Sequence, residues 1–319
     1  LGDPLLFSAE LDCAQTLYPL GYAVRIETNS RVVLEAARES WSLFRSRGGG
    51  PPVVLRVLVS EDGPAASGQP PVFRARGHVF AIVDGPANFA FCDFSSGTAF
   101  CWVTAATVAA RAAFRYHFLE TMAYAILTDL YLAPVHASCV ALEGRGLLLC
   151  GPSGAGKSTL ALACARRGWT FISDDACFLV RASGDRIVLG RPHQMRFRPS
   201  AGELFPELAG RLAGMHPNGK LSVEVPTSTL AGVKAAFEAR VDCIAFLDFQ
   251  AGARAELLPA LPAEIAERLT EGLAPFGLTH RERIACLRRL GEVPAYRFRY
   301  SDLGEAVDCL EDLLLRGRP

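Results

Sequence analysis

The chain has 319 residues, half of them hydrophobic and 21% charged, a balance that suits a globular protein with a sizeable core. Lys plus Arg equals Asp plus Glu at 33 each, so the basic excess expected of a nucleic-acid binder is absent and no such partner is expected. Ten cysteines stand singly, with no CxxC pair and no zinc spacing, and read as reduced, buried thiols of a cytoplasmic protein.

Residues 1–15 lack the basic-then-apolar pattern of a leader, so no secretory signal is expected. The first hundred residues read as β-rich. Strands are expected at 53–59 and 72–83, and at 89–94 and 99–103 around the hairpin turn Ser95-Ser96-Gly97-Thr98. Breaker-rich stretches at 48–52 and 63–71 predict loops. From 105 to 132 the composition is rich in Ala and Leu with no Pro or Gly, which predicts one or two helices ended by Pro134. Arg111, Arg115, Glu120 and Asp129 interrupt that run, so it fits a buried helix better than a membrane span.

The pattern then changes. A strand at 138–142, a turn at Gly144-Arg145-Gly146, a strand at 147–150, a Gly-rich loop, a helix at 158–167 closed by Gly168 and a strand at 171–173 follow in order. Strand, loop, helix and strand in this order predict a βαβ unit of a parallel, doubly wound sheet. Further strands are expected at 177–181, 186–189, 223–225 and 243–248. Helices are expected at 262–273, at 280–290 and from about Asp302, where Asp302 and Glu305 stand in capping-box spacing.

The Gly-rich loop is Gly151-Pro152-Ser153-Gly154-Ala155-Gly156-Lys157-Ser158, a match to GxxxxGK[ST] at every fixed position. Glycines let the backbone curl until successive amides point at one phosphate group, and the helix opening near Lys157 aims its positive end at the same charge. Lys157 is expected to reach the β- and γ-phosphates and the Ser158 hydroxyl to ligate Mg²⁺. A nucleoside triphosphate, taken as ATP, is therefore expected on Gly151, Ser153, Gly154, Ala155, Gly156, Lys157, Ser158 and Thr159. The fold class expected is α/β: a P-loop-containing mixed or parallel sheet with flanking helices over 132–319, preceded by a smaller β-rich α+β domain over 1–131.

Asp174 and Asp175 follow the next strand, and the C-terminal ends of parallel strands gather at one ligand-binding edge. One carboxylate can hold the metal while the other takes the proton of an attacking hydroxyl. Asp248, after the apolar run 243–247, is a competing metal position of the ordinary ATPase kind. Arg191 and Lys220 are candidate cations for the transferring group or the acceptor.

The block His136 to Val180, H-A-S-C-V-A-L-E-G-R-G-L-L-L-C-G-P-S-G-A-G-K-S-T-L-A-L-A-C-A-R-R-G-W-T-F-I-S-D-D-A-C-F-L-V, resembles the catalytic domain of the HPr kinase/phosphorylase family. That family also places a His before the strand into its P-loop, an Arg-Gly near the helix end and paired aspartates after the next strand. A looser likeness runs through Gly190-Arg191-Pro192 to the C-terminal helix, and the fold is similar to that of phosphoenolpyruvate carboxykinase as well. The resemblance implies an ATP- and Mg²⁺-dependent kinase acting on a hydroxyl, such as serine, of a protein, peptide or small metabolite. It implies Asp175 as the base, Asp174 for metal or water positioning and His136 near the γ-phosphate; Arg191 is expected with the nucleotide. Thr159 departs from the Glu typical of the bacterial HPr enzymes, and the segment they use for phosphorolysis is not found, so a kinase-only relative is expected. The first 130 residues do not resemble that family's N-terminal domain, and acceptor recognition or assembly, including a homo-oligomer, falls to them by elimination. The rival readings are a nucleotide-sensing module and an ATP hydrolase using Asp248.

Overall fold

The computed structural model describes residues 10–65, 71–182, 184–217 and 219–317. The expectations for 1–15 and 63–71 fall partly outside the described residues, at 1–9 and 66–70. The chain divides into two compact units, one of Leu1–Leu130 with Pro217–Gly219 and Pro275–His280, the other of Tyr131–His216, Lys220–Ala274 and Arg281–Pro319.

The first unit runs β1 (Cys13–Leu17), β2 (Val24–Thr28), α1 (Arg31–Trp41), β3 (Val53–Ser60), β4 (Val72–Arg76), β5 (Val79–Val83), β6 (Phe89–Asp93) and β7 (Thr98–Thr104). Three helices follow, α2 (Ala105–Ala109), α3 (Arg111–Phe114) and α4 (Thr121–Leu130), with a π-helical turn at Arg115–Glu120 between the last two. The seven strands form one sheet in the order β1-β2-β3-β7-β6-β5-β4. Alternation decides its inner face: Phe80 and Ile82, Ala90 and Cys92, and Ala99, Cys101 and Val103 are buried on successive strands. The stretch 72–83 is two strands rather than one, because Gly77-His78 turns the chain between β4 and β5.

The second unit runs β8 (Leu132–Val135), β9 (Ala137–Leu142), β10 (Arg145–Cys150), α5 (Lys157–Arg166), β11 (Thr170–Ser173), β12 (Cys177–Val180), β13 (Ile187–Leu189), β14 (Gln194–Phe197), β15 (Gly214–Met215), β16 (Leu221–Pro226), β17 (Lys234–Ala235), β18 (Glu238–Phe249) and β19 (Glu256–Pro259). It closes with α6 (Pro262–Thr270), α7 (His280–Leu290), β20 (Ala295–Tyr300) and α8 (Leu303–Arg316). Pro134 does not end the helix as expected. The helix stops at Leu130, and Pro134 lies within β8, an edge strand, where a missing N–H is tolerated.

The main sheet has the order β17-β11-β9-β10-β18-β13-β12-β8, with β19 and β20 joined at β18. It is mixed. β10 is parallel to β18, and β18 to β20, whereas β9 is antiparallel to both β10 and β11. β9 therefore stands between the two strands of the expected βαβ unit, which corrects the doubly wound reading. The cause is local: Glu143 and Gly144 both have positive φ, +49° and +80°, as a two-residue type I′ turn requires, and they fold β9 onto β10 before α5 crosses over. Arg145 and Gly146, expected in that turn, instead open β10 opposite Leu142 and Ala141.

Both faces of the sheet are covered. Leu147 and Leu149 of β10 pack with Leu160, Ala161 and Cys164 of α5 and with Leu310 and Leu314 of α8, while Leu148 and Cys150 face Ile265 and Leu287 of α6 and α7. A strand buried on both faces reads as a continuous apolar run, as 147–150 does. Asp302 caps α8 by accepting the Glu305 N–H at 2.9 Å. All ten cysteines are free thiols, eight of them buried. Among the described residues no helix is long and apolar enough to cross a membrane.

Candidate active site

Because β9 runs against β10 and β11, its N-terminal end lies beside their C-terminal ends, with Ala137 opposite Cys150 and Cys139 opposite Ser173. His136, the residue before β9, is thus set between the loop leaving β10 and the Asp174-Asp175 pair leaving β11. The strand order creates this meeting point; no single stretch of sequence does.

The loop 151–156 leads into α5 at Lys157. Gly156 precedes the helix at φ +92°, a left-handed conformation that a side chain would strain. The Lys157 ammonium donates to the carbonyls of Gly151 at 2.7 Å and Pro152 at 3.2 Å, and lies 3.1 Å from His136 Nε2. An ammonium donating to Nε2 selects the Nδ1–H tautomer of the ring, whose N–H then faces Asp175 Oδ1 at 3.4 Å. Burial holds the Lys157 pKa below its ordinary value, against the pull of Asp175 and Asp174.

The two aspartates are adjacent in sequence but differ in surroundings. Asp174 is buried, and its Oδ1 accepts from Ser158 Oγ at 2.6 Å and Ser138 Oγ at 3.1 Å, while Oδ2 accepts the Arg196 N–H at 2.9 Å. Burial raises its pKa, and the Ser158 and Arg196 hydrogen bonds oppose that rise. Asp175 has φ +65°, and its side chain is 56% exposed. A non-glycine residue held there is uncommon, and the local turn, closed by the Ala176 N–H on the Asp174 carbonyl at 2.8 Å, aims the two carboxylates apart.

Two cations stand at the loop. A Cβ built on Gly154 would lie 2.7 Å from Arg198 Nη2, and Lys220 Nζ lies 3.5 Å from Ser153 Oγ. Arg191, expected with the nucleotide, is tied by its backbone N–H to Ser173 Oγ at 3.2 Å. Thr159 is half-buried in the first turn of α5, and Ala155 is half-buried with its carbonyl accepting from Tyr300 Oη at 3.2 Å. Asp248 is exposed at the end of β18, its carboxylate accepting from Gln250 Nε2 at 2.8 Å, whereas the Ser158 hydroxyl is bonded to Asp174. Ser138 and Tyr300 carry no motif that marks them in the sequence, whereas Arg198 stands in a small basic cluster with Arg191 and Arg196. For Ser138 a signal existed: it stands two residues after His136 at the start of a strand, hence on the same face.

These residues fit a magnesium triphosphate. Mg²⁺ is usually held by one or two carboxylates together with substrate phosphates rather than by an all-protein cage. A hydroxyl that donates its proton to a buried carboxylate, as Ser158 does to Asp174, keeps its lone pairs free for a cation. The curled loop, the helix N-terminus, Lys157, Arg198 and Lys220 offer positive potential on one side.

Residues 131–198 match the family model of the HPr Serine kinase C-terminal domain. The Hpr(Ser) kinase/phosphatase from Coxiella burnetii is similar in structure over 58% of this chain and 97% of that one, at 13% identity and a TM-score of 0.34. No curated protein matches the chain in sequence. The segment that carries the loop, His136 and both aspartates is HPr-kinase-like.

Proposed function

We propose that this HPr-kinase-like unit is an ATP- and Mg²⁺-dependent phosphotransferase that moves a γ-phosphoryl group to a hydroxyl, serine in a protein or peptide being the favoured class and a small metabolite the other. The observation that carries the reading is the division of labour at 174–175: one carboxylate buried against the Ser158 hydroxyl, the next exposed beside His136.

Bound Mg²⁺ would supply charge neutralisation of the phosphate oxygens, with Ser158 and Asp174 as the residues that hold it. The loop amides and Lys157 bind the triphosphate. Arg198 and Lys220 add charge where the transferring group would gather it. Asp175 accepts the hydroxyl proton as the acceptor oxygen bonds to phosphorus and the bond to the bridging oxygen breaks, releasing ADP. His136, through its Nδ1–H, orients the Asp175 carboxylate for that transfer.

Incubation with γ-labelled ATP, Mg²⁺ and serine-containing proteins or peptides should place label on a hydroxyl. Asp175→Asn should retain ATP affinity and lose transfer by about 10²–10⁴-fold. Steady phosphate release that ignores every acceptor, or full transfer by Asp175→Asn, would overturn the reading.

A further inference from the structure

Tyr300 ends β20, whose last residues run parallel to the end of β18 with Phe249 opposite Tyr300. Its ring is 1% exposed, stacked on Phe298 at 5.2 Å and edge-on to Phe249 at 5.7 Å. The hydroxyl of this clamped ring donates to the Ala155 carbonyl, 145 residues away in the chain, and Gly156 packs so closely that any Cβ there would run into Tyr300 Oη. The C=O and N–H of a trans peptide point in opposite directions. Holding the Ala155 carbonyl down on the phenol therefore turns the Gly156 N–H the other way, away from the phenol.

We infer that Tyr300 is a positioning residue of the phosphate-binding loop, whose hydroxyl holds the 155–156 peptide in the orientation that offers the Gly156 N–H to a polyphosphate. The inference rests on the proposed triphosphate site and adds to it a part from the far end of the chain. Burial pushes the Tyr300 pKa up to about 12, so the phenol stays a donor through the neutral range. Gly156 gains a second reason to be glycine: beyond its φ of +92°, a methyl group would displace the hydroxyl that aligns the loop.

The test is calorimetric titration of the full chain with Mg-ATP and, separately, with inorganic tripolyphosphate, which isolates the phosphate contacts. Tyr300→Phe keeps the ring stack and removes one neutral hydrogen bond, so both ligands should weaken by between about twofold and tenfold. In turnover the change should fall on KM rather than on kcat. Tyr296→Phe, which removes a hydroxyl from the same strand, should leave both affinities unchanged. Gly156→Ala should bind poorly, and adding Tyr300→Phe should cost less than the two separate losses combined, because the methyl no longer meets a hydroxyl. If Tyr300→Phe does not fold, the Gly156 amide resonance of the unaltered protein decides instead: tripolyphosphate must shift it. Wild-type affinity in Tyr300→Phe, or an unmoved Gly156 amide, overturns the role of Tyr300 and leaves the kinase reading standing. Failure of the unaltered protein to bind either ligand removes both.

Discussion

Asp174 gathers two hydroxyl donors and one backbone N–H around a buried carboxylate whose charge the surroundings disfavour. Such a group is costly without a cation, which makes substitution informative. Asp174→Asn keeps one acceptor for the Arg196 N–H, and its amide can donate to the Ser138 and Ser158 hydroxyls once they rotate. Stability should therefore change by no more than about 1 kcal/mol in urea titration. The Mg²⁺ concentration needed for half-maximal transfer should nonetheless rise about 10–100-fold. An unchanged Mg²⁺ requirement would take Asp174 away from the metal and return attention to Asp248. At this scale the loop was legible in the sequence because its residues are contiguous and each type has one physical use. The roles of Ser138, Arg198 and Tyr300 were not, because their partners at 174, 154 and 155 come from other elements, and a donor has no assignable purpose until its acceptor is placed beside it.

The elements that pattern revealed are those with strong local signals: the apolar strands 53–59 and 147–150 and the helix at 280–290, where apolar spacing, segment length and flanking breakers agree. The misses have physical causes. The Ala- and Leu-rich run after 105 looks uninterrupted, yet it breaks into α2, α3, a π-helical turn and α4. Arg111 and Arg115 of this region reach Glu39 on α1, at 2.9 and 3.3 Å, and Arg115 also donates to Ser40 Oγ at 2.8 Å. α1 was not foreseen, so neither were these contacts, and the π-helical turn at Arg115–Glu120 has no signature in composition. Those contacts predict a pH dependence. The Arg111 hydrogen bond holds the Glu39 pKa below its ordinary 4.5. A depressed carboxylate pKa gives stability that is present above the unfolded value and lost as pH falls through the native one. Glu39→Gln should thus lower the stability of the first unit at pH 7 by about 0.2–1 kcal/mol, the range for a half-exposed pair. The difference from wild type should fade below pH 4.5. A difference of the same size at acid pH would mean that Glu39 acts through packing and not through charge.

The path of the whole chain departs from a simple division into an early and a late half. Pro275–His280 come after β19 and α6 of the second unit, yet belong to the first. Within it Phe276 stacks on Phe80 at 5.1 Å and on Phe94 at 6.0 Å, extending a ladder that continues to Phe73. Beside it the Thr279 N–H and hydroxyl bond to Asp129, which is 1% exposed at the end of α4. Nothing local in Pro275-Phe276-Gly277-Leu278-Thr279 announces this, since one aromatic residue among breakers is an ordinary loop composition. Phe276→Ala in the full chain removes a ring from that ladder and should destabilise the first unit by about 1–3 kcal/mol. Hydrogen exchange locates the loss. Protection should fall in β5, β6 and α4 and stay unchanged in α5 and β10, where the phosphate loop is anchored, because a lost contact weakens first the cooperative unit that contains it. Loss of protection centred on α7 and β20, which follow this segment in sequence, would show instead that it serves the second unit.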